Sequence, residues 1–285
     1  MIVYFEYGRL GNQIFQFATI NRLYPAERLV IFGFDDLSDL FENVNAIILK
    51  RKNIPRFGFS LLRIFFEFLA KTKIIESIRE SEGVNPEKLD STVGLLRGTK
   101  LLYPSYFQSY GFANAAHPAL KIRSAIERKA SDWLLSHGCD DKYEKLVFVN
   151  IRRTDYLSWP TSQSPAVLSA KWYEAAMDQM RARLGHSIFV IVTDDYHYAW
   201  DLFGSCSDVL ISRNGHLVDF ALMHFCCHGI LSPSTFAWWG AWYSRERVKG
   251  HHIYLAPRYW VGHRVGSWLP EGFITNWITY LDPKC

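Results

Sequence analysis

Short apolar runs alternate with amphipathic stretches along the second half of the chain, and that pattern predicts a parallel α/β sheet. Leu146-Val147-Phe148-Val149-Asn150-Ile151 is brief, β-branched and bounded by charge, as expected of a strand buried on both faces. A Pro/Ser-rich loop runs from Trp159 to Pro165. A helix over 170–184 follows, with Ser169 as N-cap and Gly185 as stop. Its residues Tyr173, Ala176, Met177, Met180 and Leu184 share one face. Further strands are predicted at 187–192, 208–211, 230–232 and 252–256. Helices at 217–227 and from Ser234 through Trp242 separate the later ones.

The first half has a mixed grammar. Ile2–Phe5 predicts a strand, Gly8-Arg9-Leu10-Gly11-Asn12-Gln13 a turn, and Ile14–Leu23 a helix stopped by Pro25. Leu29–Phe32 supplies the next strand, so this half also opens as a β-turn-α-β unit. Residues 35–99 read as mostly helical, broken at Asn53-Ile54-Pro55 and at Gly83-Val84-Asn85-Pro86. A helix from Pro118 to His137 closes the half at Gly138. The 285 residues suit two domains of about 140 each. The division expected is 1–138 and 139–285, with the last segment packing back on the first lobe.

With 49% hydrophobic and 21% charged residues, both lobes can bury sizeable cores. The net charge of +4 is too mild to argue for nucleic acid, and no basic stripe with interleaved aromatics occurs; it suits an anionic small substrate. Five cysteines without metal spacing, including Cys226-Cys227 inside a predicted helix, read as buried thiols in a reducing compartment. Met1–Glu6 reads as a first strand and not as a signal peptide, so a cytoplasmic location is expected. The most membrane-like stretch, 59–73, is interrupted by Arg63 and Glu67, which excludes a span. It is either a core-facing helix, the preferred reading, or a basic-edged helix lying on an anionic membrane surface. Aromatics reach 16% with ten tryptophans, read as a large aromatic core before sugar-stacking platforms.

Three predicted strand ends carry chemistry. Arg152 and Arg153 follow the strand at 146–151, where open α/β sheets bind ligands, and a guanidinium fork fits phosphate oxygens. Two readings stand: a diphosphate clamp, or ion pairs with Asp155 and other surface acids. Asp194 and Asp195 follow the strand at 187–192. Adjacent carboxylates on extended backbone point apart, which favours hydroxyl binding over a shared metal; N-capping of the next helix is the alternative. Ser234 and Thr235 open a helix, where the dipole favours phosphate and a capping role is compatible. Asp219 is the acid of an apolar helix and by itself reads as a surface residue. Phosphate-loop, dinucleotide-fingerprint, nucleophile-elbow and His-Glu-x-x-His patterns are all missing from the sequence.

Several segments together resemble the α-1,2-fucosyltransferases of glycosyltransferase family 11. These are Gly8–Ala18, Tyr106-Phe107-Gln108-Ser109, Asn150-Ile151-Arg152-Arg153-Thr154-Asp155-Tyr156, and Asp219–Tyr243 with Ser234-Thr235-Phe236-Ala237-Trp238-Trp239-Gly240. The resemblance implies two Rossmann-like lobes of the GT-B type with a cleft between them. It further implies GDP-fucose as donor, inversion at the anomeric carbon, and no metal or other cofactor. Arg152 would hold the β-phosphate, and Asp219 and Asn150 would face the guanine. Ser234, Thr235 and Phe236 would line the phosphates, Asp194 and Asp195 the ribose or fucose, and Asn12 and Gln13 would close over the donor. The chain departs from the family at Asn150, where histidine is usual, and at Thr154, where glycine is common.

Departure of GDP builds charge on the diphosphate, which Arg152 is placed to stabilise. Neighbouring side chains alternate in direction, so Arg153 is expected to anchor the loop through Asp155 instead. Asp155 and Glu6 are the candidate bases for the acceptor hydroxyl. The acceptor expected is a galactose-containing glycan, lipid-linked if 59–73 meets a membrane. Two rivals stay open: a GDP-fucose-dependent transferase with another acceptor, such as a protein hydroxyl, and a non-catalytic glycan-binding module.

Overall fold

The computed structural model describes residues 1–80, 89–108, 120–139, 143–247, 250–261 and 274–283. The Gly83–Pro86 loop, Pro118, Ser109 and Cys285 lie outside them. The described chain divides into two compact units, Met1–Arg123 and the residues from Ser124 onward. The division falls earlier than 138/139 because the helix α4 (Ser124–Ser136) packs against a later helix of the second unit.

In the first unit the strands are β1 (Ile2–Phe5), β2 (Leu29–Phe32), β3 (Phe41–Glu42), β4 (Ile47–Leu49), β5 (Ile75–Glu80), β6 (Leu89–Thr92), β7 (Leu96–Leu102) and β8 (Lys121–Ile122). The sheet order is β4-β2-β1-β7-β5-β6, parallel except for β6, while β3 and β8 form a small antiparallel pair. The helices are α1 (Leu10–Leu23), α2 (Asp35–Leu40) and α3 (Arg56–Lys71). Strand β1 is buried at all four residues, which explains its legibility. The helical reading of 35–99 holds for α2 and α3 and is corrected elsewhere: β3, β4, β5, β6 and the first part of β7 also lie in this range. In β7 only Leu101 and Leu102 are buried, so its strand character comes from pairing with β1 and β5 on either side and not from periodicity.

The second unit contains β9 (Leu146–Ile151), the short hairpin β10 (Pro160–Thr161) and β11 (Ser164–Pro165), β12 (Ile188–Thr193), β13 (Val209–Ile211), β14 (His228–Ile230), β15 (Tyr254–Pro257) and β16 (Thr279–Leu281). With α4 come α5 (Ala170–Leu184), α6 (Tyr196–Phe203), α7 (His216–Phe225) and α8 (Thr235–Arg247). The sheet is fully parallel in the order β13-β12-β9-β14-β15-β16. Counted from β9 this is the doubly wound order 3-2-1-4-5-6, with its switch point between β9 and β14. All six residues of β9 are buried, as a central parallel strand requires. Helix α5 has the predicted bounds, and Ser169 accepts from Trp172 N at 3.2 Å. The described end of the chain supplies β16 to this sheet. Cys226 and Cys227 follow α7 and are not inside it; both are buried.

The aromatic content goes largely to core. Trp239 and Trp242 of α8 are buried, and their rings lie 5.4 Å apart. One close approach fixes the switch point. Gly229 of β14 pairs with Phe148 of β9, and a Cβ there would sit 2.2 Å from the Phe148 ring, which is fully buried. Gly229→Ala must therefore displace that ring, at a cost of about 1–3 kcal/mol. Urea unfolding should show the loss, with partial recovery when Phe148→Leu is added. An unchanged midpoint for the single variant would refute the packing argument.

Candidate active site

The carboxyl ends of β9 and β14 meet at the switch point. Asn150, on β9, is buried and accepts from Ser232 Oγ at 2.5 Å, so the serine sets the orientation of the amide. Ser234 is buried and its carbonyl accepts the first bond of α8, from Trp238 N at 3.0 Å. Thr235 and Phe236 are half-buried at the positive end of that helix. Tyr156 donates to the Pro233 carbonyl at 2.8 Å and so ties the loop after β9 to the loop after β14.

Arg152 follows directly on β9, and its side chain meets its own loop and the end of β12. Its Nη2 lies 2.6 Å from Asp155 Oδ1 and its Nη1 2.7 Å from Asp194 Oδ2, with the guanidinium 5.5 Å from the Tyr156 ring. Those pairs use two of its five N–H donors. Asp194 is the hub of the cluster: besides Arg152 it accepts from Arg153 N at 2.8 Å and from Thr154 Oγ1 at 2.5 Å. The hydroxyl of Thr154 thus helps to fix the hub.

The two arginines do part, though not as expected from sequence. Arg153 does not hold Asp155; its Nε bonds Asp195 at 3.1 Å, and its guanidinium lies 3.9 Å over the Tyr198 ring. Asp155 pairs with Arg152 instead. The reason is the turn at Thr154 and the short helix Asp155–Leu157, which carry Asp155 back to Arg152's side. Asp195 also caps α6, accepting from Tyr198 N at 3.2 Å. The two adjacent carboxylates therefore point apart, each onto a different arginine.

Asp219 corrects the surface reading. It lies on the inner face of α7, only 7% exposed, where Ser212 Oγ donates to it at 2.5 Å. Asn214 in turn donates to Ser212 through its backbone and side-chain nitrogens, at 3.1 and 3.0 Å. Burial pushes the Asp219 carboxyl up to about 7, against the opposing effects of Ser212 and His216. A carboxylate that changes charge near neutrality, just beyond β13, is a functional-site candidate on physical grounds. Ser212, Asn214 and Ser232 were missed in the sequence; each follows a strand's carboxyl end, which was the available signal.

In the first unit, Glu6 stands just past β1. Its Oε2 accepts from Gln13 Nε2 at 2.9 Å and Phe34 N at 2.7 Å, and Arg51 lies 3.4 Å from Oε1. Burial raises its pKa, the direction a general base needs. The amide oxygen of Gln13 accepts from Leu37 N at 3.0 Å, so both ends of that side chain are engaged within the unit. Asn12 is half-buried and accepts from Gln108 Nε2 at 3.0 Å. Gly8 has φ +94°, and a Cβ there would sit 2.3 Å from Asn12 Nδ2, so glycine is required for Asn12 to take this position.

Residues 93–280 match the model of glycosyl transferase family 11. The chain belongs to that family. It is 24% identical to the O-antigen biosynthesis glycosyltransferase WbnK of Escherichia coli, over 89% of this chain and 92% of that protein. An α-1,2-colitosyltransferase of Escherichia coli is 29% identical, over 89% of this chain and 90% of its own. Galactoside α-(1,2)-fucosyltransferase 1 of Oryctolagus cuniculus is 33% identical over 39% of this chain and 30% of its own. Among solved structures, the α-1,6-fucosyltransferase NodZ soaked with GDP-fucose superposes with a TM-score of 0.51 at 14% identity, covering 85% of this chain and 91% of that one. The family 11 protein thus has two Rossmann-like units of the GT-B glycosyltransferase type, as the motifs implied.

Proposed function

We propose that this family 11 glycosyltransferase moves L-fucose from GDP-fucose to a galactose hydroxyl of a surface glycan. The product would be an α-1,2 linkage formed with inversion and without a metal. The observation that carries the reading is Arg152, which follows directly on β9, a strand of the switch point, with its guanidinium held by two carboxylates. As the C1–O bond breaks, the electron pair passes to the β-phosphate oxygen, and fixed positive groups aimed at that charge lower the barrier. Ser234 and Thr235 would line the same phosphates, and Asp219 would accept from the guanine edge. The galactoside fucosyltransferase relative supports the linkage, and the O-antigen biosynthesis relative supports a bacterial surface glycan as acceptor.

The colitosyltransferase relative supports a second reading, in which the same site carries colitose. Product analysis after incubation with GDP-fucose and a panel of galactosides separates the readings. The first expects a fucosylated galactoside whose yield is unchanged by EDTA. No transfer from GDP-fucose, with transfer from a colitose donor, would replace it by the second. A thermal shift with UDP but none with GDP would sink both.

A further inference from the structure

Helix α3 has two apolar faces. One packs into the first unit's core through Phe59, Leu62, Phe66, Leu69 and Ala70. The other carries Phe57, Leu61, Ile64, Phe65 and Phe68, spaced i, i+4, i+7, i+8 and i+11, a continuous stripe down one side of the helix. These five side chains are solvent-exposed, from 53% at Phe65 to 83% at Phe57. Between the faces runs a narrow polar strip with Ser60, Arg63, Glu67 and Lys71. The connection from β6 to β7 extends the apolar surface. Leu95 N and Leu96 N bond to the carbonyls of Lys73 and Ile74 just past α3, at 2.8 and 2.7 Å, and Val93, Leu95 and Leu96 are exposed.

Such a patch on a soluble domain marks an interaction surface. Its charge says what covers it. Between Lys50 and Lys73 there are seven basic residues and one acid, a net +6 that exceeds the +4 of the whole chain. Some of this charge is internally balanced: Lys50 and Lys52 pair with Asp39, Arg51 with Glu6, and Arg63 with Glu67. Lys71, Lys73 and Arg97 are exposed around the end of the helix where the Val93–Leu96 connection lies. No helix among the described residues is long and apolar enough to cross a membrane. We propose that α3 and the β6–β7 connection form an interfacial docking surface for an anionic lipid bilayer, with the apolar stripe entering the headgroup boundary and the cations meeting lipid phosphates.

The surface works without donor or turnover, so it stands or falls apart from the transfer reading. The test is co-sedimentation with vesicles of phosphatidylcholine, with and without phosphatidylglycerol. The full chain should bind the anionic vesicles at least tenfold more strongly than the neutral ones, with binding weakened by salt. Replacing Leu61, Ile64, Phe65 and Phe68 together by glutamine should lower the partition coefficient at least tenfold, with the circular-dichroism melt preserved. A second variant, Lys71→Glu with Lys73→Glu and Arg97→Glu, should remove the anionic preference and tests the idea even if the first fails to fold. A chain that stays in the supernatant with anionic vesicles overturns the proposal. So does a dimer in sedimentation equilibrium that the glutamine variant converts to monomer, since a second copy would then cover the face.

Discussion

Arg152→Ala should lower kcat for transfer by about 10²–10³, the loss seen when one preorganised donor is removed from a developing oxyanion. The group is suited to the role because it is already held. Asp155 and Asp194 fix the guanidinium at 2.6 and 2.7 Å, and two of its five donors suffice for that. Little reorganisation is then needed when charge reaches the diphosphate. GDP affinity should fall less than kcat, because the interaction strengthens in the transition state. A purely structural role predicts something else. If Arg152 only anchors the loop, Asp155→Asn should harm activity as much as Arg152→Ala, since both break the same pair. If Arg152 serves phosphate and Asp155 is not the base, Asp155→Asn should leave kcat within a few-fold of wild type. A loss in Asp155→Asn that abolishes the acid limb of the pH–rate profile would instead mark Asp155 as the base. Arg152→Lys should be intermediate, because an ammonium keeps the charge without the fork that spans both carboxylates. Initial rates at saturating donor decide the matter. Arg152→Ala with more than about a tenth of the activity would leave under 1.4 kcal/mol to the clamp, and the idea would fail.

The second unit was legible because its signals are local. Strand β9 announces itself by six buried residues in a row, and α5 by Ser169, one apolar face and Gly185. The strands at 75–102 were not legible. β7 is half polar and becomes a strand by lying between β1 and β5, a long-range fact that no window over 96–102 contains. The candidate site divides in the same way. Alternation along extended backbone correctly parted Arg152 from Arg153. It could not name their partners, because Asp194 and Asp195 come from the end of another strand and the turn at Thr154 redirects Asp155. Asp219 was misread by itself because an acid on an apolar helix can face either way. Only packing of α7 against the sheet, with Ser212 beneath it, turns it inward.

That inward acid makes both stability and donor binding depend on pH below neutrality. Its carboxyl sits at about 7 when folded, against an ordinary value of 3.8. Between those values the native state keeps a proton that the unfolded chain has lost. Stability from this group is therefore fully present below about pH 4, declines as pH rises toward 7, and levels off above it. Three pKa units correspond to a difference on the order of 4 kcal/mol across that window. Asp219→Asn cannot ionise, so its stability relative to wild type should climb from pH 4 to pH 7 and then hold. Donor binding should run the opposite way. Guanine presents N–H donors, which need the ionised carboxylate, so GDP affinity should rise with pH up to about 7 and binding should release a proton below it. In Asp219→Asn, GDP should bind about 10–100-fold more weakly at pH 8, the worth of a hydrogen bond to a charged acceptor, with little difference at pH 5.5. Calorimetry across pH 5.5–8.5, in buffers of different ionisation enthalpy, reads affinity and proton release together. A wild-type affinity that stays flat between pH 5.5 and 7, or a variant that matches it at pH 8, would remove Asp219 from the guanine site and leave its burial as a cost with no return.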